Sequence, residues 1–449
     1  MSELIEVAQL AVKYALEAGA TEAECTLSEG EEFSVGVRMR EVEKLTQAGS
    51  RGMGIRVLKG QHVGSSRTSD LTSEGIQAMV KSALELAAIT NEDPFAGLPE
   101  PGEFGKLTGD LRMYDDAISK MEAEWKIAQA VAAEDAALTF DPRIVNSEGG
   151  SFDSYLGQRA FANSRGFSGS YRTSSVGISA VPIAKDETGH MERDYWSTSS
   201  REAAGLETPE SVGRKAAERA IRRLGARKVP TQKVPVIFEA RTARSLLGDI
   251  FEAVNGSSIY RQASFLAGKL GEKIASEHLT VVDDATIPGL FGTSPFDDEG
   301  VPSRRTVVIE KGVLKSYLLN TYTARKLGLK TTGNASRGLA GNASVGPGNF
   351  YLEAGRRTEQ SMIAGVKQGL FITELVGGDA NTVTGDFSSG AVGMWIENGE
   401  LAYPVSEITV AGNLIQMLLD LEEPASNLEF RSSIASPTLM IPEMTVSGQ

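Results

Sequence analysis

Apolar side chains recur at helical spacing in two early segments of the chain. The first segment spans residues 4–18 and is followed by Gly19, and the second spans residues 76–87. Apolar residues three and four positions apart lie on one face of a helix, and glycine often follows the last helical turn. We therefore predict two amphipathic helices in the first hundred residues.

Between these helices the pattern changes to the two-residue period of β-strands. Phe33, Val35 and Val37 alternate with small or polar residues, and a hairpin is predicted at Lys59-Gly60. Residues 91–101 are interrupted by prolines and are predicted to lack regular structure. These features define a first block that ends at about residue 104.

A second block covers residues 107–227. It is predicted to contain one helix over residues 117–137, then serine- and glycine-rich strands, and then a closing helix. Thr208, Pro209 and Glu210 precede that last helix in the order of a cap, a first-turn proline and a first-turn acid. Residues 228–233 are predicted to form the linker to the rest of the chain.

The third block contains the clearest hairpins. One is predicted over residues 306–318, and a second over residues 394–405 with Asn398-Gly399 as a type I′ turn. Further helices are predicted at residues 242–254, 320–327, 359–368 and 414–421.

Strands in consecutive hairpins with irregularly interspersed helices favour an α+β fold. We expect mixed or antiparallel sheets flanked by helices, with a β-rich C-terminal half. The predicted division is an N-terminal α+β region at 1–230, with sub-blocks of about 1–104 and 107–227, and a C-terminal α+β domain at 231–449.

Composition and charge narrow the functional classes. Lysine and arginine number 45 against 59 aspartate and glutamate residues, so the formal net charge is −14. A protein that reads the nucleic-acid backbone needs a positive surface, so DNA or RNA binding is disfavoured. The sequence contains no apolar run of about 18 residues and has no basic segment at its start, so we expect a cytoplasmic protein with no membrane role.

The usual catalytic motifs are missing from the sequence. It has no Gly-x-Ser-x-Gly motif for a serine nucleophile and no Gly-x-x-x-x-Gly-Lys-Ser/Thr loop for a nucleotide phosphate. His62, His190 and His278 do not fall at the i,i+3 or i,i+4 spacing of helical metal ligands. We therefore expect structural or surface roles for the histidines, and a small core residue at Cys25, the single cysteine.

Two further patterns allow a structural and a functional interpretation. Residues 49–54 are rich in glycine but do not open a helix, so we predict a turn there rather than a phosphate site. The acidic clusters at residues 283–284 and 297–299 offer ligands for a hard cation, but such clusters are more often solvated turns. We favour solvated turns for both.

Several long segments of the chain resemble the TldD/PmbA family, and specifically its PmbA (TldE) branch, once called modulators of DNA gyrase. The similar segments are 50–57 (SRGMGIRV), 92–99 (EDPFAGLP), 296–302 (FDDEGVP), 331–335 (TTGNA), 372–378 (ITELVGG), 384–400 (TGDFSSGAVGMWIENGE), 403–407 (YPVSE) and 411–414 (AGNL). The resemblance covers nearly the whole chain and is weakest in the middle block.

The resemblance implies a cytosolic zinc metallopeptidase built from two homologous subunits. The TldD-like subunit carries a His-Glu-x-x-x-His helix and a later cysteine as metal ligands, whereas the PmbA-like subunit lacks them and pairs with it. The implied substrates are unfolded or extended peptides, including antitoxins and peptide-antibiotic precursors, that enter an enclosed channel.

Carried onto this sequence, the metal motif is degenerate. Phe251 stands at the first histidine position, Glu252 at the glutamate position and Gly256 at the second histidine position. The late cysteine would fall near Thr384, and no cysteine follows Cys25. Glu252 alone cannot act as a general base on a metal-bound water that is not held there. We therefore expect no catalytic residue and no metal in this chain, and zinc in the partner subunit.

The first functional hypothesis is thus the non-catalytic subunit of a heteromeric metallopeptidase. Asp386, Gly390 and Gly393 are candidates for the substrate channel, because a Gly- and Ser-rich strand allows close approach of a peptide backbone. Packing of tight turns explains the same glycines equally well. The alternatives are a stand-alone homodimeric peptide-binding or scaffold protein, and a gyrase-directed or DNA-binding regulator, which the net charge disfavours.

Overall fold

The computed structural model describes residues 2–448. In this part of the chain the helices are α1 (Ser2–Glu17), α2 (Ser73–Ala87), α3 (Asp116–Ser119), α4 (Ala123–Leu138), α5 (Pro209–Arg222), α6 (Ala240–Val254), α7 (Gly256–Tyr260), α8 (Thr321–Leu327), α9 (Glu359–Ala364) and α10 (Leu414–Asp420).

The strands fall into two groups along the chain. The first group is β1 (Glu22–Arg38), β2 (Glu41–Lys59), β3 (His62–Thr68), β4 (Ile144–Asn163), β5 (Ser168–Lys185), β6 (Met191–Arg193) and β7 (Trp196–Ser200). The second group is β8 (Gln232–Phe238), β9 (Val281–Asp284), β10 (Arg305–Glu310), β11 (Val313–Leu314), β12 (Ala335–Ser336), β13 (Ser344–Val345), β14 (Phe350–Leu352), β15 (Gln368–Val376), β16 (Asp386–Glu397), β17 (Glu400–Asn413), β18 (Ile434–Ala435) and β19 (Leu439–Ser447).

The first group forms one antiparallel sheet in the order β3-β2-β1-β4-β5-β6, with β7 also pairing with β5. Strands β1 and β4 pair directly, so both predicted N-terminal sub-blocks contribute to this sheet. Helices α1 and α2 share an apolar cluster with β1 and β2, while α4 and α5 share a second cluster with β4 and β5. The period-two pattern of β1 and the helical pattern of α1 and α2 produce these two-layer contacts.

The second group builds the C-terminal half. Strands β15, β16, β17, β19 and β8 close into a barrel, and β11-β10-β9-β14-β18 form a five-stranded sheet beside it. A single large apolar cluster joins the barrel, α6 and this sheet. The hairpin between β16 and β17 turns at Asn398 and Gly399, which both have positive φ, as a type I′ turn requires. The predicted α+β fold is confirmed.

Three local predictions are wrong. Residues 49–54 do not form a turn but lie inside β2. The helix predicted over residues 117–137 is divided into α3 and α4, because Glu122 between them takes an extended conformation. Helix α9 ends at Ala364, since the carbonyl groups of Val366 and Lys367 accept hydrogen bonds from the Gly399 and Asn398 N–H groups.

The glycines of residues 49–54 allow the two halves of the chain to meet. A Cβ atom on Gly54 would lie 1.7 Å from the carbonyl oxygen of Leu339, and one on Gly52 would lie 2.5 Å from the Leu339 side chain. Only glycine permits this backbone approach. The close contact explains why a glycine-rich segment stands within a strand.

A buried ion triad lies at the same junction. Glu24 of β1 accepts hydrogen bonds from Arg56 Nη1 of β2 at 2.8 Å and from Arg337 Nη1 of the C-terminal half at 2.5 Å. All three residues are buried. The triad therefore links the two halves through charges that are largely shielded from water.

Within residues 2–448, no helix is both long and apolar enough to span a membrane.

Candidate functional site

The positions that resemble the metal motif lie at the C-terminal end of α6. Helix α6 is amphipathic, and its buried side chains are Thr242, Ala243, Leu246, Leu247, Ile250, Phe251, Ala253 and Val254. Asn255 then takes an extended conformation, which ends α6, and its side chain caps α7 by accepting the Ser257 N–H at 2.9 Å. The helix thus stops between the two former histidine positions.

Phe251, at the first histidine position, is part of the hydrophobic core. Its side chain is 5% exposed and meets the Phe350 ring edge to face, with the ring centroids 5.5 Å apart. Phe350 belongs to β14, so this contact packs α6 against the five-stranded sheet. A phenyl ring offers no lone pair to zinc, and the position is filled by apolar packing.

Gly256, at the second histidine position, is enclosed by neighbouring side chains. Its N–H donates to the Leu318 carbonyl at 2.9 Å. A Cβ atom there would lie 2.6 Å from Leu319 Cδ2 and 2.7 Å from Thr323 Oγ1. These distances are shorter than van der Waals contact, so a histidine cannot enter without displacing the side chains of Leu319 and Thr323.

The outer side of α6 carries two carboxyl groups one turn apart. Glu252 is exposed at the helix surface, and desolvation by the surrounding protein raises its pKa. Asp249 is half-buried and accepts the Ala380 N–H at 3.3 Å. Burial raises the pKa of Asp249 to about 6, with smaller contributions from the charges of Asp379 and Glu252. Sequence reasoning missed Asp249, because its burial depends on a loop 130 residues later in the chain.

That loop also contains Thr384, the position near which the resemblance places the late cysteine. Besides the Ala380 contact with α6, the Thr382 carbonyl accepts the Phe265 N–H at 2.8 Å. Thr384 Oγ1 donates to Asp386 Oδ2 at 2.8 Å. The three former ligand positions therefore lie on segments that contact one another, but their side chains supply no zinc ligand.

The residues present do not fit a zinc ion. Within residues 2–448 no group of three or more His, Cys, Asp and Glu side chains is arranged to hold a metal. His62 contacts the Thr90 carbonyl at 2.7 Å, His190 contacts Glu192 at 3.0 Å, and His278 is exposed on another segment. The structure thus does not bring the histidines together. Cys25 is fully buried, which raises its pKa to about 12 and confirms the predicted core role.

The three channel candidates lie on β16. Asp386 is exposed and hydrogen-bonds with Thr384 and Asn413. A Cβ atom on Gly393 would lie 2.1 Å from the Phe371 carbonyl oxygen of β15, and one on Gly390 would lie 3.0 Å from a β15 carbonyl oxygen. Both glycines therefore have a packing role within the barrel, and their role in a channel stays a prediction.

The acidic clusters at residues 283–284 and 297–299 are not solvated turns, so that prediction is wrong. Asp283 is 2% exposed, and its Oδ2 accepts the Asn334 Nδ2–H at 2.7 Å. Asp297 is buried and accepts backbone N–H groups of Glu299, Val301 and Ala335 at 2.9–3.0 Å. These carboxyl groups bind the chain's own backbone and amide donors, which explains why acidic residues occur in the interior.

Burial makes Asp283 a source of pH-dependent stability. Burial raises the pKa of Asp283 to about 7 from an ordinary 3.8, although the Asn334 hydrogen bond opposes the shift. The folded chain therefore binds an extra proton between these pH values, and the free energy of unfolding falls as the pH rises through this range.

Asp283→Asn is expected to raise the free energy of unfolding at pH 8 by about 1–3 kcal/mol and to reduce its fall between pH 4 and 7. The neutral amide avoids burying a charge and still offers an oxygen to Asn334. Urea denaturation across this pH range measures both effects. Asp420→Asn, an exposed control at the end of α10, should change neither. A loss of stability at pH 8 in Asp283→Asn would contradict the assignment.

Comparison with known proteins agrees with this architecture. Residues 23–87, 116–224 and 231–448 match the models of domain 1, the central domain and the C-terminal domain of the PmbA/TldA metallopeptidases. Metalloprotease PmbA of Escherichia coli O157:H7 is 39% identical over 428 residues, which cover 95% of this chain and 92% of that protein. The Metalloprotease PmbA homolog of Haemophilus influenzae is 35% identical over 446 residues, covering 99% and 96%.

Solved structures extend the similarity to the whole fold. A protein from Bacteroides thetaiotaomicron described as a modulator of DNA gyrase superposes with a TM-score of 0.93 at 31% identity, covering 100% of both chains. TldE from Thermococcus kodakarensis superposes with a TM-score of 0.87 at 21% identity over 98% of this chain and 100% of that one, which shows a shared fold. The resemblance read from the sequence is thereby confirmed: the chain belongs to the PmbA/TldD metallopeptidase family.

Proposed function

We propose that this chain is the non-catalytic, PmbA/TldE-type subunit of a TldD/PmbA zinc metallopeptidase of the cytoplasm. One observation carries the proposal. The two positions that correspond to the histidines of the metal motif are closed, by core packing at Phe251 and by side-chain contacts around Gly256. The catalytic zinc then belongs to a homologous partner with a His-Glu-x-x-x-His helix. This chain contributes the second wall of a compartment that admits unfolded or extended peptides, such as antitoxins and peptide-antibiotic precursors.

A free strand edge supports recognition of extended peptides by this chain. Strand β3 pairs with β2 only over Met53–Lys59, so within residues 2–448 no strand pairs with the outer edge of Glu41–Gly52. Most side chains along this edge are exposed. Unpaired backbone N–H and C=O groups bind an added strand with little dependence on its sequence. Such a mode suits a peptidase subunit with varied substrates.

Asp386, Gly390 and Gly393 are proposed as part of the wall that substrate passes. They lie on β16, and Asp386 contacts the Thr384 loop that folds against α6. The loop and β16 thus lie beside the helix that would carry the metal motif in a catalytic subunit. This proximity is the support for their placement in the channel.

Sedimentation of defined mixtures tests the pairing. We expect an equimolar mixture with a His-Glu-x-x-x-His homologue from the same organism to form a complex containing one copy of each chain. The chain alone at the same total concentration is the control. If the mixture shows only the species of the separate chains, and the chain alone binds unfolded peptides as a homodimer, the proposal fails and the scaffold alternative is correct.

A further inference from the structure

A cavity lies at the opposite end of α6 from the degenerate metal positions. It has a volume of about 220 Å³ and is enclosed by β7, the first turn of α6 and residues 429–436. Three arginines, Arg241, Arg244 and Arg431, line it together with Glu429. The charged lining therefore sums to +2 in a chain whose net charge is −14.

Only one of these arginines is neutralised within the chain. Arg431 donates to Glu429 Oε2 at 2.7 Å and to the Ser197 carbonyl at 2.9 Å. Within residues 2–448 neither Arg241 nor Arg244 forms an ion pair with a carboxylate. Arg244 donates only a long hydrogen bond, 3.4 Å, to Ser432 Oγ. Two guanidinium groups thus remain available to an anion.

Arg241 is fixed by its neighbours, but one of its hydrogen-bond donors has no partner among the described residues. Its guanidinium lies 4.3 Å from the Trp196 ring centroid, and Nη2 donates to Ser197 Oγ at 3.2 Å. Nη1 is buried and has no hydrogen-bond partner among the described residues. Burial lowers the pKa of Arg241, and the charges of Arg219 and Arg431 add to this effect, whereas Tyr195 and Glu239 partly oppose it. An anion in the cavity would supply the compensating charge that the chain itself omits.

The cavity fits a carboxylate better than a phosphate. A guanidinium group binds either anion through two parallel hydrogen bonds. Glu429 lines the same cavity and repels a dianion more strongly than a monoanion. The Ser197 hydroxyl accepts from Arg241 and keeps its own hydrogen as a further donor. A volume of this size accommodates the end of a peptide rather than a larger ligand.

We propose that Arg241 and Arg244 bind the terminal carboxylate of an extended peptide in this cavity. The inference rests on the proposed function in one respect, since that function makes peptides the ligands of this chain. The site would distinguish one end of the peptide from the rest. A strand edge alone binds any extended segment, whereas a carboxylate site selects the C-terminal end of the peptide chain.

Calorimetric titration of the full chain alone tests the site. The probes are an N-acetylated eight-residue peptide of alanine and serine with a free carboxylate, its C-terminal amide, an amidated version with one internal glutamate, and inorganic phosphate. We expect the free acid to bind at least tenfold more tightly than the amide, as removal of a charged hydrogen-bond partner predicts. Arg241→Gln and Arg244→Gln should each abolish that preference.

Arg214→Gln, an exposed substitution on α5 outside the cavity lining, is the control and should retain the preference. Arg244 is itself exposed, so its variant tests the site even if Arg241→Gln does not fold. Equal affinity for acid and amide, tighter binding of the internal glutamate or of phosphate, or an unchanged preference in both cavity variants would each overturn the inference. Because no partner chain is present, these results are independent of whether the two-subunit assembly forms.

Discussion

Glu24→Ala is expected to lower the free energy of unfolding by about 3–5 kcal/mol. The substitution leaves the buried guanidinium groups of Arg56 and Arg337 without the carboxylate that both contact. Burial alone would raise the pKa of Glu24, but the charges of Arg337 and Arg56 hold it below its ordinary value. The triad is therefore ionised in the folded protein. Without Glu24, the burial of the Arg56 and Arg337 charges is no longer compensated, and the folded state is destabilised.

Urea denaturation at pH 7 measures this change, with Glu29→Ala as the matched control. Glu29 lies on the same strand and pairs with Arg51 at 2.9 Å, but that pair is partly exposed. Surface pairs contribute roughly 0–1 kcal/mol, so the control should remain close to the parent protein. Because the folded pKa of Glu24 is lowered, its contribution should be lost as the pH falls below the ordinary value of 4.5. Equal effects of the two substitutions would contradict the role of the triad.

Gly256→His, which restores one residue of the metal motif, is expected to lower the free energy of unfolding by about 3–5 kcal/mol without creating a zinc site. The imidazole must displace Leu319 and Thr323. Thr323 accepts the Asn320 N–H at 3.1 Å and donates to Asn320 Oδ1 at 2.8 Å, so its displacement also disrupts the cap of α8. Overpacking and the loss of buried hydrogen bonds act together.

Gly248→His provides the matched control on the same helix. A Cβ atom on Gly248 meets no atom within 4 Å, so this substitution should change stability by less than about 1 kcal/mol. Denaturation and metal analysis of the purified variants measure both expectations, and the double variant Phe251→His, Gly256→His extends the test. Stoichiometric zinc in a stable double variant would show that the ligand positions are open, contrary to the packing described above.

The sequence predicted most elements that depend on local pattern. Helices α1, α2 and α5 and the β16–β17 hairpin follow from apolar period, the Thr208 cap and the Asn398-Gly399 turn. It failed where distant contacts decide the outcome. Gly52 and Gly54 lie in a strand because they pair with β1, and their lack of a side chain leaves room for the Leu339 segment. Asp283 is buried beside Asn334, which donates a hydrogen bond to its carboxyl group.

The same distinction applies to the candidate site. The loss of ligands at Phe251 and Gly256 is readable from residue identity, since neither side chain binds zinc. That Gly256 has no room for a side chain depends on α8, which is distant in sequence. The arginine cavity is likewise formed by segments that are distant in sequence, since its lining includes both Ser197 and Ser436, nearly 240 residues apart. No short sequence motif predicts it.

Zinc content and casein hydrolysis, measured for the chain alone and for its mixture with a His-Glu-x-x-x-His homologue, test the central claim most directly. We expect neither zinc nor activity in the chain alone, and one zinc per pair with peptidase activity in the mixture. Stoichiometric zinc and EDTA-sensitive cleavage by the chain alone would show that its own residues form a metal site, and would contradict the assignment as a non-catalytic subunit.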